Sequence, residues 1–332
     1  MAGNYHIPAE SDAHELTFMQ WPNSKRVYGG SGFLRDVQQT IVDVALSISD
    51  FEPVVLLADK SHHTQIDKMT EGAVELWDIP TEDLWARDAG PIFGRDAQGN
   101  MAVMHIQFNG WGEKQVNTHD SQIAKRVAAR LDLPLVPTGL VGEGGGVDHD
   151  GADYLIAHES SWRNDNRNPA VSLAELETRL LKTYGAKKMV WSPGLWDLDI
   201  TDYHIDSLAR FTAPGRILMN LPEEPDFHEP FHQAALDTFE ALKAAGIEIE
   251  VIPEPNKRRV SGYDFVASYV NYYVCNGAVI APQFGDRRTD AQAVDALSRH
   301  YPGREIVTLN TDALGELGGG IHCATQQMPK VG

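Results

Sequence analysis

Short apolar runs rich in β-branched residues recur along the whole chain. They include VVLLA (54–58), VELWDI (74–79), AVMHIQF (102–108), YLIAH (154–158), KMVWS (188–192), RILMNL (216–221), IEIEVI (247–252) and YVNYYVCNGAVIA (269–281). Length and composition read as strands. Between them lie segments with helical spacing. FLRDVQQTIVDVALSI (33–48) puts Phe33, Val37, Ile41, Val44, Ala45 and Ile48 on one face, and similar patterns run through about 120–131, 172–184, 229–245 and 290–300. Strands alternating with helices predict an α/β architecture. The Pro/Gly-rich spots at Gly29–Gly32, Gly142–Gly146, Pro253–Asn256 and Gly318–Gly320 are too short to act as linkers, so one domain over 1–332 is expected. The basic cluster Lys257, Arg258 and Arg259 in EPNKRRVSG (254–262) reads as a solvated loop.

Charge changes the picture more than composition does. The 332 residues carry 47 Asp and Glu against 28 Lys and Arg, a formal net charge of −19. Such a surface disfavours nucleic acid, whose phosphates need a basic partner, and disfavours an acidic membrane surface. It favours a cationic ligand. Two cysteines build neither a disulfide framework nor a Cys-rich zinc site. No apolar stretch reaches the length of a membrane span. The opening MAGNYHIPAESDAHE is polar and lacks an apolar signal core, which predicts a cytoplasmic protein. A secreted enzyme whose signal lies outside this sequence reads the same. A homo-oligomer is left open.

Five segments concentrate polar, glycine and aromatic residues: DLWARDAGP (83–91), GEGGGVDHDG (142–151), ITDYHIDSLARF (200–211), SYVNYYVCNG (268–277) and LGGGIHCATQQMP (317–329). Cys323 follows three glycines and His322, a setting for an exposed nucleophilic thiolate. Its bland alternative is a small buried residue, which suits Cys275 inside an apolar strand. His204 and Asp206 lie two apart in a strand-like run, so alternation puts them on one face. They read either as a proton-transfer pair beside a cation site or as a solvated edge pair. Glu143 sits in GEGGG, which matches neither a P-loop nor a dinucleotide fingerprint and otherwise reads as a turn. Asp88 follows Trp85 and Arg87, and its bland reading is an ion pair with Arg87 or Arg95. A metal site built from His204, Asp206 and Glu143 is a competing reading, although no HExxH motif is present.

The constellation says more than its members. A thiol, an imidazole and three carboxylates, with no cofactor signature, suit a guanidinium: planar, permanently cationic and bound bidentately by carboxylates. A Cys-His protease would want an oxyanion hole instead. The intervals from Asp88 to Glu143, His204, Asn271 and Cys323 are 55, 61, 67 and 52 residues. Near-equal steps predict one strand-helix module per chemical residue, arranged about a central site.

The ordered motifs resemble the agmatine deiminase family, which includes the bacterial peptidylarginine deiminases. They are IPAESDAHELTFMQWP (7–22), WARDAGP (85–91), FNGWGEK (108–114), EGGG (143–146), NRNP (166–169), HID with ARF (204–211), ASYVNYYVCNGAVIAPQFGD (267–286) and GGGIHCATQQMP (318–329). The resemblance implies a pentein, an α/β propeller of five modules. It implies Cys323 as nucleophile, His204 as general acid and base, and Asp88 and Asp206 as clamps on the guanidinium nitrogens. Glu143 would orient His204 and help hold the site, Asn271 would support the site from behind or contact it directly, and Trp85 and Trp111 would wall the pocket and exclude water. It implies hydrolysis of agmatine to N-carbamoylputrescine and ammonia through a covalent thiouronium, with no metal or organic cofactor. Protein-arginine deimination is the alternative.

Two departures fall where the far end of the substrate is expected. Family members commonly carry Gly before the catalytic His, where this chain has Tyr203. The connection EPNKRRVSGYD (254–264) is also short, which could open the cleft to peptidyl-arginine.

Overall fold

The computed structural model describes residues 5–24, 27–260, 262 and 265–330. Its strands fall into five sheets built on one repeated rule. A first strand pairs antiparallel with a second, and the second pairs parallel with a third after a helical crossover. Four modules follow it in chain order. They are β4 (Ile92–Arg95), β5 (Met101–Gln107) and β6 (Leu135–Val141); β7 (Val147–His149), β8 (Tyr154–His158) and β9 (Lys188–Ser192); β10 (Ala209–Ala213), β11 (Arg216–Leu221) and β12 (Glu248–Pro253); and β13 (Tyr273–Cys275), β14 (Ala278–Gln283) and β15 (Glu305–Asn310). The remaining sheet joins the two ends of the chain. β16 (Gln326–Pro329) runs antiparallel to β1 (His14–Gln20), which pairs parallel with β2 (Val54–Ala58) and onward to β3 (Glu75–Asp78).

The crossovers are amphipathic helices, Ser31–Ser49, Ile123–Arg130, Leu173–Tyr184, Pro230–Ala244 and Arg287–His300. In the first, Val37, Ile41, Val44, Ala45 and Ile48 are buried as the periodicity predicts, while Phe33 is only half-buried and Leu34 takes an inward position. Local chemistry sets the ends. The Ser172 side chain accepts from the Glu175 amide at the start of 173–184, and left-handed Gly185 closes it.

Two expectations change. The run 269–281 is a hairpin, because Asn276-Gly277 turns the chain, and residues 269–272 precede the strand. The strand-like reading of 200–211 holds only from Ala209. Asp199 Oδ1 accepts from the Thr201 amide (2.7 Å) and the Tyr203 amide (3.1 Å), and Thr201 Oγ1 accepts from the His204 amide (3.1 Å). These side-chain bonds wind the backbone into a turn and a short 3-10 helix, Ile205–Ser207, rather than a ladder. Lys257, Arg258 and Arg259 are exposed, with Arg259 Nε on Asp312 Oδ2 at 2.7 Å. Ser261, Tyr263 and Asp264 of the short connection, and Met1–Asn4 of the opening, lie outside the described residues.

Apart from Trp111, which lies between β5 and β6, every residue singled out for chemistry sits in a link from the last strand of one module to the first strand of the next. Asp88 lies between β3 and β4, Glu143 between β6 and β7, and His204 and Asp206 between β9 and β10. Asn271 lies between β12 and β13, and Cys323 between β15 and β16. The first strands pack against one another, β16 on β4 and β7 on β10, so these links converge.

The join between first and last modules is polar and buried. Glu52 accepts from His14 Nδ1 (3.0 Å), the Thr17 hydroxyl, the Asn276 amide (2.7 Å) and the Tyr273 hydroxyl (3.4 Å). Asn276 also brackets the His14 backbone, accepting at Oδ1 (3.0 Å) and donating from Nδ2 (2.9 Å). Glu52→Ala would strand several buried donors, at a cost of roughly 3 kcal/mol. Urea unfolding of the variant should show that loss, and one under about 1 kcal/mol would mean that closure does not depend on this carboxylate.

Candidate functional site

The link carrying Cys323 coils tightly, with the Thr325 hydroxyl on the Ile321 carbonyl at 2.9 Å. Asn271 meets it from the neighbouring module. Its Nδ2 lies 3.1 Å from Cys323 Sγ and its Oδ1 accepts from the Cys323 amide at 3.4 Å. The approach needs a glycine: a Cβ on Gly320 would lie 2.5 Å from Asn271 Oδ1. Asn271, expected either to support the site or to contact it directly, touches the sulfur. Cys323 Sγ also lies 3.4 Å from Asp206 Oδ2. Burial, then the charges of Asp206 and Asp88, push the thiol well above its ordinary range. Cys275 is buried in β13, where burial and Glu52 push it up to about 12.

Asp88 sits in the short helix Ala86–Ala89. It accepts from Trp111 Nε1 at Oδ2 (2.9 Å) and from the Gly145 amide at Oδ1 (3.0 Å). Pairing with Arg87 does not occur: Arg87 turns away to Glu10 Oε2 and Gln327 Oε1, both at 2.9 Å. Burial pushes Asp88 up to about 6, with Asp206 and Glu143 adding to the rise and His204 opposing it. Asp206 receives His322 Nδ1 at Oδ2 (2.7 Å), while its buried Oδ1 has no hydrogen-bond partner among the described residues. Burial works to raise Asp206, but the bond and charge of His322 outweigh it and hold the carboxyl below its usual value.

His204 stands between carboxylates. Nε2 lies 3.1 Å from Glu143 Oε2, and Nδ1 lies 3.7 Å from Asp88 Oδ1. Burial pulls its pKa down, yet Asp88 and Glu143 outweigh that and push it up to about 9, so the ring is an imidazolium at neutral pH. Glu143 is itself gripped by Arg167 Nε at 2.9 and 3.0 Å. Arg167 Nη1 reaches Asp202 Oδ2 at 2.7 Å, and Lys114 Nζ meets the same carboxylate at 2.8 Å. Burial would raise Glu143, but Arg167 and His204 hold it low. At the centre lies Gly145. A Cβ there would come 2.8 Å from Asp88 Oδ1, 2.9 Å from His204 Nδ1 and 3.1 Å from Asp206 Oδ2.

Trp85, Asp88, Trp111, His204, Asp206 and Cys323 line one cleft of about 1060 Å³. Glu143 and Asn271 stand behind this lining, against His204 and Cys323. Trp111 does more than wall the pocket, since its indole N–H fixes Asp88. The metal reading finds no support in the arrangement. Glu143 is taken up by Arg167 and His204, and among the described residues no group of three or more His, Cys, Asp or Glu is placed to hold an ion.

Sequence reasoning gave no role to three groups that hold the site. Arg167 lies inside NRNP and buttresses Glu143. His322 bridges Asp206 to Glu10, with Nε2 3.0 Å from Glu10 Oε2. Glu10, from the opening motif, also meets Arg87 (2.9 Å) and Arg210 (3.1 Å). Their sequence signal was membership of a motif. Their pairing, across 24 positions for Arg167 and Glu143 and up to 312 for His322 and Glu10, could not be read along the chain.

The comparisons with known proteins agree with one another. The family model described as Porphyromonas-type peptidyl-arginine deiminase matches residues 6–329. A protein of Medicago truncatula named agmatine deiminase is 31% identical over 366 residues, covering 98% of this chain and 97% of that one. The solved agmatine deiminase of Enterococcus faecalis superposes with a TM-score of 0.89 at 26% identity, covering 99% and 97% of the two chains. The C. jejuni agmatine deiminase solved with substrate bound gives a TM-score of 0.88 at 25% identity, covering 98% and 96%.

Gly145→Ala tests the geometry directly. The added methyl meets only side chains, so the fold should persist while those side chains are displaced. Misplacement of this order costs roughly 10²-fold in kcat/KM. Steady-state kinetics beside a thermal melt would check it, and unchanged kinetics would mean that the space between Asp88, His204 and Asp206 is not where reaction occurs.

Proposed function

The chain belongs to the Porphyromonas-type peptidyl-arginine deiminase family and has the five-module pentein fold, and we propose that it is a hydrolytic guanidino-group deiminase converting agmatine and water to N-carbamoylputrescine and ammonia. The observation that carries this reading is a buried thiol sharing one cleft with Asp88, Asp206 and His204. That site is short of positive charge, and a guanidinium supplies it.

In this reading Asp88 and Asp206 bind the guanidinium nitrogens and turn its carbon toward Cys323. Asp206 Oδ1, buried and unpaired, is an acceptor ready for one N–H. The arriving cation lowers the cost of the thiolate. The thiol proton has Asp206 Oδ2 within 3.4 Å. Sulfur attacks the carbon and forms the C–S bond. His204, already protonated, gives its proton to the departing nitrogen, and the C–N bond breaks to release ammonia. A thiouronium remains on Cys323. Neutral His204 then takes a proton from water, the oxygen adds to the carbon, and the C–S bond breaks to release the ureido product. As the C–S bond breaks, the adduct's hydroxyl proton passes to the leaving thiolate, and the proton first taken from the thiol by Asp206 leaves with ammonia as ammonium. Glu143, braced by Arg167, keeps His204 aimed throughout. A small-molecule reaction feeding polyamine synthesis goes with a cytoplasmic enzyme. No helix among the described residues is long and apolar enough to cross a membrane.

A colorimetric ureido assay on agmatine, beside an arginine blocked at both termini, tests the reading. Agmatine should be turned over. Cys323→Ala and His204→Ala should each lose about 10³-fold or more with near-UV circular dichroism unchanged. Normal turnover in either variant would sink the mechanism. Turnover of blocked arginine alone would replace the substrate with peptidyl-arginine and leave the chemistry standing.

The pH dependence follows from Asp88. Its pKa is raised to about 6, so it is neutral below that value and loses its hold on a cation. The kcat/KM for agmatine should therefore rise with pH through an apparent pKa near 6 and level off by about pH 7. A flat profile between pH 5 and 7 would remove Asp88 from substrate capture.

A further inference from the structure

Tyr203 holds a backbone conformation that a tyrosine rarely adopts. Its φ is 68°, and Asp202 before it has φ 58°, so two consecutive non-glycine residues lie in the left-handed region. Asp202 is fixed there by Arg167 and Lys114. Tyr203 is fixed by its ring, which stacks on His158 (4.5 Å between centroids, ring planes parallel) and packs edge-on with Phe231 at 5.4 Å. His158 Nδ1 lies 2.7 Å from the Tyr203 carbonyl. The chemistry above uses neither Tyr203, His158 nor Phe231, yet Tyr203 and Phe231 line the same cleft as Cys323.

Glu254 lines the cleft beside them. Burial and the charges of Glu254 and Asp199 push the Tyr203 phenol above its ordinary range, so it stays protonated and close to this carboxylate. Other acidic side chains along this wall are occupied or turned outward. Asp199 caps the 199–204 turn, Asp226 accepts from the His228 amide (2.9 Å), and Glu229 accepts from the Phe231 amide (3.4 Å). Asp197 and Glu316 are exposed. Within 4 Å, the ion-pair partner of Glu254 among the described residues is His232, at 3.9 Å. Burial raises the Glu254 carboxyl above its ordinary range against the charges of His232 and of Arg258, whose guanidinium lies over Phe265, 5.3 Å from the ring centre.

A carboxylate that lines the same cleft as Tyr203 and Phe231, with its ion-pair partner as far off as 3.9 Å, is suited to an alkylammonium group. We propose that Tyr203, Phe231 and Glu254 form the subsite for the end of the substrate remote from its guanidinium, and that this subsite selects a primary ammonium. The inference rests on the deiminase reading and adds to it what distinguishes agmatine from other alkylguanidines.

N-butylguanidine keeps agmatine's guanidinium and its four-carbon chain and lacks the ammonium. The native enzyme should prefer agmatine by roughly tenfold or more in kcat/KM. Glu254→Gln should bring that ratio close to one, chiefly by raising the KM for agmatine. Tyr203→Gly relieves the left-handed backbone but removes the ring that packs on His158 and Phe231, so it is read by its kinetics and should raise the KM for agmatine more than that for N-butylguanidine. Equal turnover of the two guanidines by the native enzyme, or an equal loss on both in Glu254→Gln, would overturn the subsite and leave the deiminase reading intact. Calorimetric binding to Cys323→Ser separates the two claims. If neither compound is turned over, the deiminase reading fails, and equal affinity for the two compounds would overturn the subsite on its own evidence.

Discussion

Asp88, Glu143 and Asp206 are buried together around a thiol, and in a space of low polarity their charges repel. The rest of the site answers that repulsion. Arg167 neutralises Glu143 from behind, His322 neutralises Asp206, and His204 stands between Glu143 and Asp88 as a shared cation. The compensation is incomplete. Asp88 keeps a raised pKa, one Asp206 oxygen goes unpaired, and the Cys323 thiol is held against ionisation. A bound guanidinium would relieve all three at once. The same shortage of positive charge that burdens the free protein is thus what would draw the substrate in and ready the sulfur.

Five modules make that crowding feasible. Each module ends at a link that needs no ladder hydrogen bonds, so its side chains are free to point inward. The links converge because first strands pack on first strands. The arrangement depends on the chain ends meeting, β16 on β1, because Cys323 lies immediately before β16. Glu52 and Asn276 lock the first module to the last. Placement of the Cys323 thiol and ring closure are therefore one structural event.

The two ends of the cleft obey different rules. Around Cys323, distances near 3 Å are fixed by paired charges and by glycines at 145 and 320 that let backbones approach. Toward Tyr203 the wall is aromatic, with a single weakly paired carboxylate. The first suits chemistry on a planar cation. The second suits recognition of whatever that cation is attached to, and it is here that a strained backbone is tolerated.

Much of this was legible in the chain alone. Strand and helix periodicities located YLIAH, KMVWS and RILMNL to the residue, because side chains alternate or spiral by local geometry that sequence records. The near-equal intervals between Asp88, Glu143, His204, Asn271 and Cys323 foretold five modules, since each repeat needs a similar length of chain. Sequence also supplied the residue types that suit a guanidinium. It misread 200–208 as strand, because side-chain capping by Asp199 and Thr201 overrides the apolar pattern there. It could not see Arg167 behind Glu143, His322 bridging Asp206 to Glu10, or Asn271 touching the sulfur. Those are contacts between distant segments, set by how the modules close. Charge compensation depends on distance in space, and sequence order carries no measure of that distance.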